Sequence, residues 1–243
     1  MEVAGCPLPP DRRYDLEESV WILEDPATGI ATVGLMASLV CFAGKFTSVT
    51  FRPIPDRQGA GRSVATLESR RYTGPVRLPV GGTLVERNVG LIARPKLLND
   101  SPYERGWVVR VRPEPGAPPR APLETAEEIA DRLRARITEL RIHCTPAAPD
   151  LELVEIGSEC AATLARLDEE LARRPAEEIV LLVTDDPTSP LELERWSDRT
   201  GHTLLQHARD GGLYRFLIRK EAAPRPRIRS AETGRIPDGD GPG

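Results

Sequence analysis

The sequence predicts an α+β chain of two domains: a β domain of short strands closed as a barrel or sandwich, then a small two-layer α/β sandwich of order β-α-β-α-β-β. Three observations carry this. Between residues 14 and 112, short apolar stretches recur at close spacing, each broken by Gly, Pro, Asn or Asp. Five prolines fall within residues 113–122; they block both helix and ladder hydrogen bonding and read as a stiff linker. Beyond residue 151, strand-like and helix-like patterns alternate and finish in a hairpin.

Residues 1–13, with Cys6-Pro7-Leu8-Pro9-Pro10, read as an irregular lead. Strands are expected over 20–23, 30–34, 47–51, 63–68, 74–78, 82–87 and 106–112, with one short helix over 35–42. A strong helix follows over 125–141. Thr125 is a good N-cap, Glu128 three residues later completes a capping box, and Ile129, Leu133, Ile137 and Leu140 share a face. In the second half, 151–156 alternates as a strand, 161–174 is helical with Leu164, Leu167 and Leu171 on one stripe, and 178–184 is a buried strand. A turn and helix occupy 186–198. Strands over 202–208 and 213–219 are joined by Asp210-Gly211-Gly212, a hairpin signal. The expected division is 1–112 for the β domain, 113–150 for linker and connecting helix, 151–221 for the α/β domain, and 222–243 for a Pro- and Gly-rich disordered tail.

Composition removes several function classes. The net charge of −4 gives no general pull toward nucleic acid, whose phosphates need clustered Lys and Arg. No apolar run approaches the ~18 residues of a membrane span, and no basic-then-apolar leader opens the chain, so a cytoplasmic location without membrane association is expected. The cysteines Cys6, Cys41, Cys144 and Cys160 form no CxxC pair and read as isolated thiols, not a disulfide framework. Cys41, within Leu39-Val40-Cys41-Phe42, reads as a buried structural thiol. His143-Cys144 has no partner pair at zinc-ligand spacing, and His202 and His207 should face opposite ways on their strand, so no metal is expected. Asp185-Asp186-Pro187 reads as a turn more than as paired catalytic carboxylates. No glycine-rich phosphate loop is present, and no cofactor is expected.

Within 14–112, Tyr14-Asp15 followed by Val20-Trp21, then Thr32-Val33-Gly34-Leu35, Ala43-Gly44-Lys45, Leu67-Glu68-Ser69-Arg70-Arg71, Pro79-Val80-Gly81-Gly82 and the run from Leu98 through Asn99, Ser101-Pro102-Tyr103 and Gly106-Trp107 occur in one order. This series resembles the H protein of the glycine cleavage system, and the resemblance implies a barrel-sandwich hybrid of the lipoyl type. Cys6-Pro7-Leu8-Pro9 is also similar to H-protein-like chains associated with bacterial sulfur metabolism. The family carries lipoate on a lysine in a Glu-Ser-x-Lys hairpin; the matching position here is Arg71. A guanidinium stays protonated and is a poor nucleophile, so no lipoylation is expected at the usual place. Lys45 and Lys96 belong to other motifs. Arg70-Arg71 reads as a solvated hairpin pair, or as an anion-binding tip that meets a partner's acidic surface. Trp21 and Trp107 read as packing residues.

Over 151–220, Ile156-Gly157-Ser158-Glu159-Cys160, Leu182-Val183-Thr184-Asp185-Asp186-Pro187, Gly201-His202 and the run from Tyr214 to Lys220 resemble TusA-type sulfur carriers. The resemblance implies that Cys160 carries sulfur as a persulfide, at a strand end where a following helix N-terminus favours thiolate. Two departures stand out. The family's Cys-Pro-x-Pro reads Cys160-Ala161-Ala162-Thr163, and the often basic residue before the cysteine is Glu159, whose carboxylate opposes ionisation.

Two readings of function stay open. In the first, the protein is a sulfur relay: Cys160 passes sulfane sulfur while the H-like module docks on protein partners of a sulfur relay or a lipoyl-dependent system. In the second, it is a non-catalytic adaptor in which both modules have lost their carrier chemistry. An authentic glycine-cleavage carrier is expected to fail for want of the lysine.

Overall fold

The computed structural model describes residues 1–53 and 56–223. It divides into two compact units, Met1–Asp150 and one that begins at Leu151. The disordered tail expected over 222–243 lies, from residue 224 on, outside the described residues.

The first unit comprises β1 (Glu2–Val3), β2 (Cys6–Pro7), β3 (Arg13–Asp15), β4 (Val20–Asp25), β5 (Ile30–Leu35), α1 (Ala37–Ala43), β6 (Phe46–Phe51), β7 (Arg57–Gln58), β8 (Ser63–Ser69), β9 (Thr73–Arg77), β10 (Gly82–Arg87), α2 (Gly90–Ala93), α3 (Leu97–Asp100), β11 (Val109–Pro113) and α4 (Ala126–Glu139). A six-stranded sheet of order β3-β4-β5-β11-β10-β7 and a three-stranded sheet β6-β8-β9 share one core. Alternation on the pleat supplies it: Val33 and Leu35 from β5, Val49 from β6, Val64 and Leu67 from β8, Val76 from β9, and Val109 and Val111 from β11 are all buried. This is the barrel-sandwich architecture that the short, closely spaced strands predict.

The run 98–107 closes this barrel, and its residue types have visible reasons. The Asn99 side chain donates to the Gly44 carbonyl at 2.8 Å and accepts the Phe46 N–H at 2.9 Å, pinning the loop between α1 and β6. The Tyr103 hydroxyl accepts the Ala37 N–H at 3.0 Å, satisfying an orphan donor at the start of α1, and donates to the Pro7 carbonyl at 2.8 Å. Trp21, buried as expected, donates its indole N–H to the Pro102 carbonyl at 3.1 Å. Gly106 is required by crowding, since a Cβ there would come within 2.7 Å of the Leu97 and Ser101 carbonyl oxygens.

Three features differ from the sequence expectation. The lead is not irregular: β1 and β2 form a hairpin whose Val3, Cys6 and Leu8 are buried. The helix over the segment read as linker and connector packs into the first unit. Ala126, Ile129, Leu133 and Ile137 of α4 join Val3, Leu8, Tyr14, Trp21 and Met36 in a second core. The capping box is present as read, with Thr125 Oγ1 accepting the Glu128 N–H and the Glu128 carboxylate accepting the Thr125 N–H. The proline segment lies against the barrel. The Arg120 N–H donates to the Pro79 carbonyl, and the Arg120 guanidinium pairs with Asp15, Glu17 and Glu18. Finally, Cys6 and Cys144, read as isolated thiols, are joined by a disulfide that spans 138 residues of sequence, with Cα atoms 5.0 Å apart. Spacing along the chain could not show this pair, because docking of α4 onto the N-terminal hairpin is what brings the two together.

The second unit comprises β12 (Leu151–Glu155), α5 (Cys160–Ala172), β13 (Ile179–Thr184), α6 (Ser189–Thr200), β14 (Thr203–Asp210) and β15 (Leu213–Arg219). The sheet order is β12-β13-β15-β14, with β12 parallel to β13 and the other pairs antiparallel. Leu167 and Leu171 of α5 and Leu193 and Trp196 of α6 pack against Val180, Leu182, Phe216 and Ile218. The result is the two-layer β-α-β-α-β-β sandwich expected from the sequence.

Candidate functional site

The first candidate site is the β8–β9 hairpin. Its turn closes through the Ser69 N–H on the Tyr72 carbonyl at 2.8 Å. The Ser69 hydroxyl organises the tip: it donates to the Ala43 carbonyl at 2.7 Å and accepts the N–H groups of Arg71 at 3.2 Å and Tyr72 at 3.0 Å. Arg70 and Arg71 are exposed at this tip. The Arg71 guanidinium lies over Gly44, whose φ of +73° favours glycine and where a Cβ would sit 2.9 Å from Nη2.

The chain's three lysines are all engaged. Lys45 pairs with Asp150 at 2.9 Å, and Lys96 pairs with the same carboxylate at 2.9 Å and with Asp100 at 3.3 Å. Burial works against the Lys96 ammonium, but Asp150 and Asp100 outweigh it and hold its pKa above the ordinary lysine value. Lys220 donates to the carbonyls of Leu171 at 2.6 Å and Arg174 at 2.5 Å, at the C-terminal end of α5 where a cation is favoured.

Beside this hairpin lies a cleft of about 170 Å³. Leu39 and Phe42 of α1, Tyr72 and Pro75 of the hairpin, and Arg136 and Ile142 at the end of α4 contribute to its walls.

The second candidate site is Cys160. It is the first residue of α5, after Glu159 in an extended N-cap conformation with no side-chain cap. It is half-buried and a free thiol. The two aspartates read as a turn also brace this loop, which sequence reasoning missed. Asp185 accepts the Gly157 N–H at 2.8 Å. Asp186 accepts the Thr188 N–H at 2.8 Å and its hydroxyl at 2.7 Å. These donors, the Thr188 N–H foremost, hold the Asp186 pKa below the usual carboxylate value.

The effect on the thiol opposes the helix-terminus argument. Burial raises the Cys160 pKa and the Asp186 carboxylate raises it further; the Thr188 hydroxyl offsets this only in part. The carboxylate that matters therefore comes from the second turn, across the sheet end, and not from the adjacent Glu159. The Asp-Asp-Pro motif was the available signal, since the turn after a parallel neighbour strand ends beside the turn after the first.

The remaining residues singled out in the sequence lie elsewhere. Cys41, half-buried in α1, is pushed up to about 11 by burial. The His202 Nδ1 accepts the Glu221 N–H at 3.2 Å, and the His207 ring faces Phe216 at 6.3 Å between centroids. Among the described residues no cluster of His, Cys, Asp or Glu is suited to hold a metal, and no helix is long and apolar enough to cross a membrane.

Comparison with known proteins agrees with both modules. The glycine cleavage H-protein family model matches residues 12–136, just over half of the chain and reaching into α4. The sulfurtransferase TusA family model matches residues 155–220. Glycine cleavage system H protein 5 of Aquifex aeolicus is 34% identical over 147 residues, which are 59% of this chain and 98% of that protein. A probable glycine cleavage system H protein 2 of Sulfolobus acidocaldarius is 30% identical over 143 residues, covering 58% of this chain and 95% of that one. Among solved structures, the glycine cleavage H protein of Mycobacterium marinum aligns with a TM-score of 0.46 at 28% identity, over 52% of this chain and 98% of that one. The H-type barrel with its hairpin and closing run, matched over more than half of the sequence, makes this chain a member of the glycine cleavage H-protein family that carries a TusA-family domain behind the H-type module.

Proposed function

We propose that this protein is a sulfur-relay protein in which Cys160 carries sulfane sulfur as a persulfide, while the H-type module serves as a non-lipoylated docking element for protein partners in the cytoplasm. The observation that carries the reading is the position of Cys160: a half-buried free thiol at the first position of α5, within the segment matched by the TusA family model. In the loading step the Cys160 thiolate attacks the outer sulfur of a donor persulfide. A new S–S bond forms, the donor's S–S bond breaks, and its electron pair leaves on the donor thiolate. Transfer onward repeats the step, with an acceptor nucleophile attacking the outer sulfur and Cys160 as the leaving thiolate. Arg71 at the hairpin tip, with each lysine engaged in ion pairs or carbonyl contacts, supports the non-lipoylated state.

A second reading, the non-catalytic adaptor, is favoured by one specific observation: burial and Asp186 hold the Cys160 thiol above its ordinary pKa, where thiolate is scarce at neutral pH. Intact-mass spectrometry of the full chain decides between them, after incubation with a cysteine desulfurase and cysteine beside a competent carrier as control. One added sulfur that vanishes in Cys160→Ser supports the relay. An unmodified protein, with the control loaded, refutes it for that donor and leaves the adaptor.

A further inference from the structure

Three cysteines that no carrier chemistry uses meet in one corner of the first unit. Cys6 and Cys144 are bonded. The Cys144 Sγ lies 3.9 Å from the Ala37 carbonyl, near the start of α1. Cys41 stands four residues on, one turn along the same face of that helix. Both Cys41 and Cys144 pack against the core that α4 forms with the N-terminal hairpin.

The bond is the covalent tie between two segments of little regular structure. β1 and β2 are two residues each, and the chain beyond α4 leaves the helix through Arg141 with φ +49° into irregular backbone. The same exit forms part of the cleft beside the hairpin tip, because Arg136 and Ile142 line it opposite Leu39, Tyr72 and Pro75. Cys144 follows Ile142 by two residues. One end of the disulfide is approachable, since Cys144 is half-buried while Cys6 is fully enclosed.

We propose that Cys6–Cys144 is a redox-active disulfide, opened by a dithiol reductant, that clamps the α4 wall of the cleft beside the hairpin tip. A reductant thiolate attacks the accessible Cys144 sulfur. The S–S bond breaks, and its electron pair leaves on Cys6, which takes up a proton. The second thiol of the reductant then attacks the mixed disulfide and releases Cys144 as thiolate, which is also protonated. The reductant ends as a disulfide, and two electrons have passed to the protein. With the clasp open, the N-terminal hairpin and the exit of α4 lose their covalent tie and keep only noncovalent ones, such as the Tyr103 hydroxyl on the Pro7 carbonyl and the Asp150 ion pairs, and the cleft wall loosens.

The test uses the full chain, gently oxidised and then either left so or treated with dithiothreitol. Alkylation with N-ethylmaleimide after denaturation, read by intact mass, should block two cysteines, Cys41 and Cys160, in the oxidised sample, and all four after reduction. Amide hydrogen exchange should then speed up about tenfold or more at 1–8, at 137–146 and at the cleft residues 72–75 in the reduced sample, with 160–172 unchanged. Cys6→Ser should exchange like the reduced wild type without any reductant; should that variant fold poorly, the reduced wild type carries the comparison alone. Four alkylated cysteines before reduction, a bond that dithiothreitol leaves intact in the native protein, or equal exchange in the two forms would each overturn the proposal.

Discussion

Replacing Asp186 by Asn tests the electrostatics of the Cys160 loop directly. Asn keeps an acceptor oxygen for the Thr188 N–H, so the turn is retained and only the charge is removed. Asp186 is ionised wherever the thiol titrates, because its own pKa is held below the carboxylate value while the thiol's is raised above the cysteine value. A largely exposed carboxylate acts on a neighbouring group with up to ~1 kcal/mol, and its loss lowers the thiol pKa. At neutral pH the alkylation rate should then rise, by at most about fivefold for ~1 kcal/mol. The assay is the pH profile of iodoacetamide alkylation from pH 6 to 9, followed by peptide mass. The signal is clean in this range, since Cys41 is pushed up to about 11 and the other two cysteines are bonded. The variant's profile should move to lower pH with the same plateau. A profile that stays in place, or moves to higher pH, would refute the assignment of Asp186 as the charge that suppresses Cys160.

Further outcomes follow from the same contacts. Arg71→Lys places a primary amine at the hairpin tip, and incubation with a lipoyl-protein ligase should add one lipoyl group to the variant and none to the wild type; a lipoylated wild type would contradict the docking-only reading. Thr163, only 1% exposed in α5, has a hydroxyl with no hydrogen-bond partner among the described residues, so Thr163→Val should stabilise the second unit by about 1 kcal/mol in urea unfolding. Thr125→Ala removes the cap of α4 and should cost the first unit about 1 kcal/mol. His202 is held below its ordinary 6.5 by burial, then by Lys220. The unfolded chain therefore binds a proton first as pH falls, and the second unit should lose stability from about pH 6.5 downward. His202→Gln should flatten that dependence in thermal scans, and an unchanged slope would reject the cause.

Much of this protein is legible along the chain because the relevant physics is local. The strands read over 20–23 and 30–34, the Thr125–Glu128 box, the Asp210-Gly211-Gly212 turn and the order β-α-β-α-β-β all depend on neighbours within a few residues, and each is present in the fold. The arginine at the hairpin tip and the cysteine at the start of α5 are likewise matters of position in a motif. What the tertiary structure alone decided are the long-range meetings. The amphipathic face of α4 announced that it needed a partner but not which one, and packing gave it to Val3, Leu8 and Trp21 of the first unit. That docking set Cys6 beside Cys144 across 138 residues. The parallel pairing of β12 with β13 set Asp186 against Cys160, reversing the local expectation that a helix N-terminus would favour the thiolate. Periodicity specifies which face of an element is buried. It carries no record of what that face is buried against, and the charge a buried sulfur meets is settled by that second question.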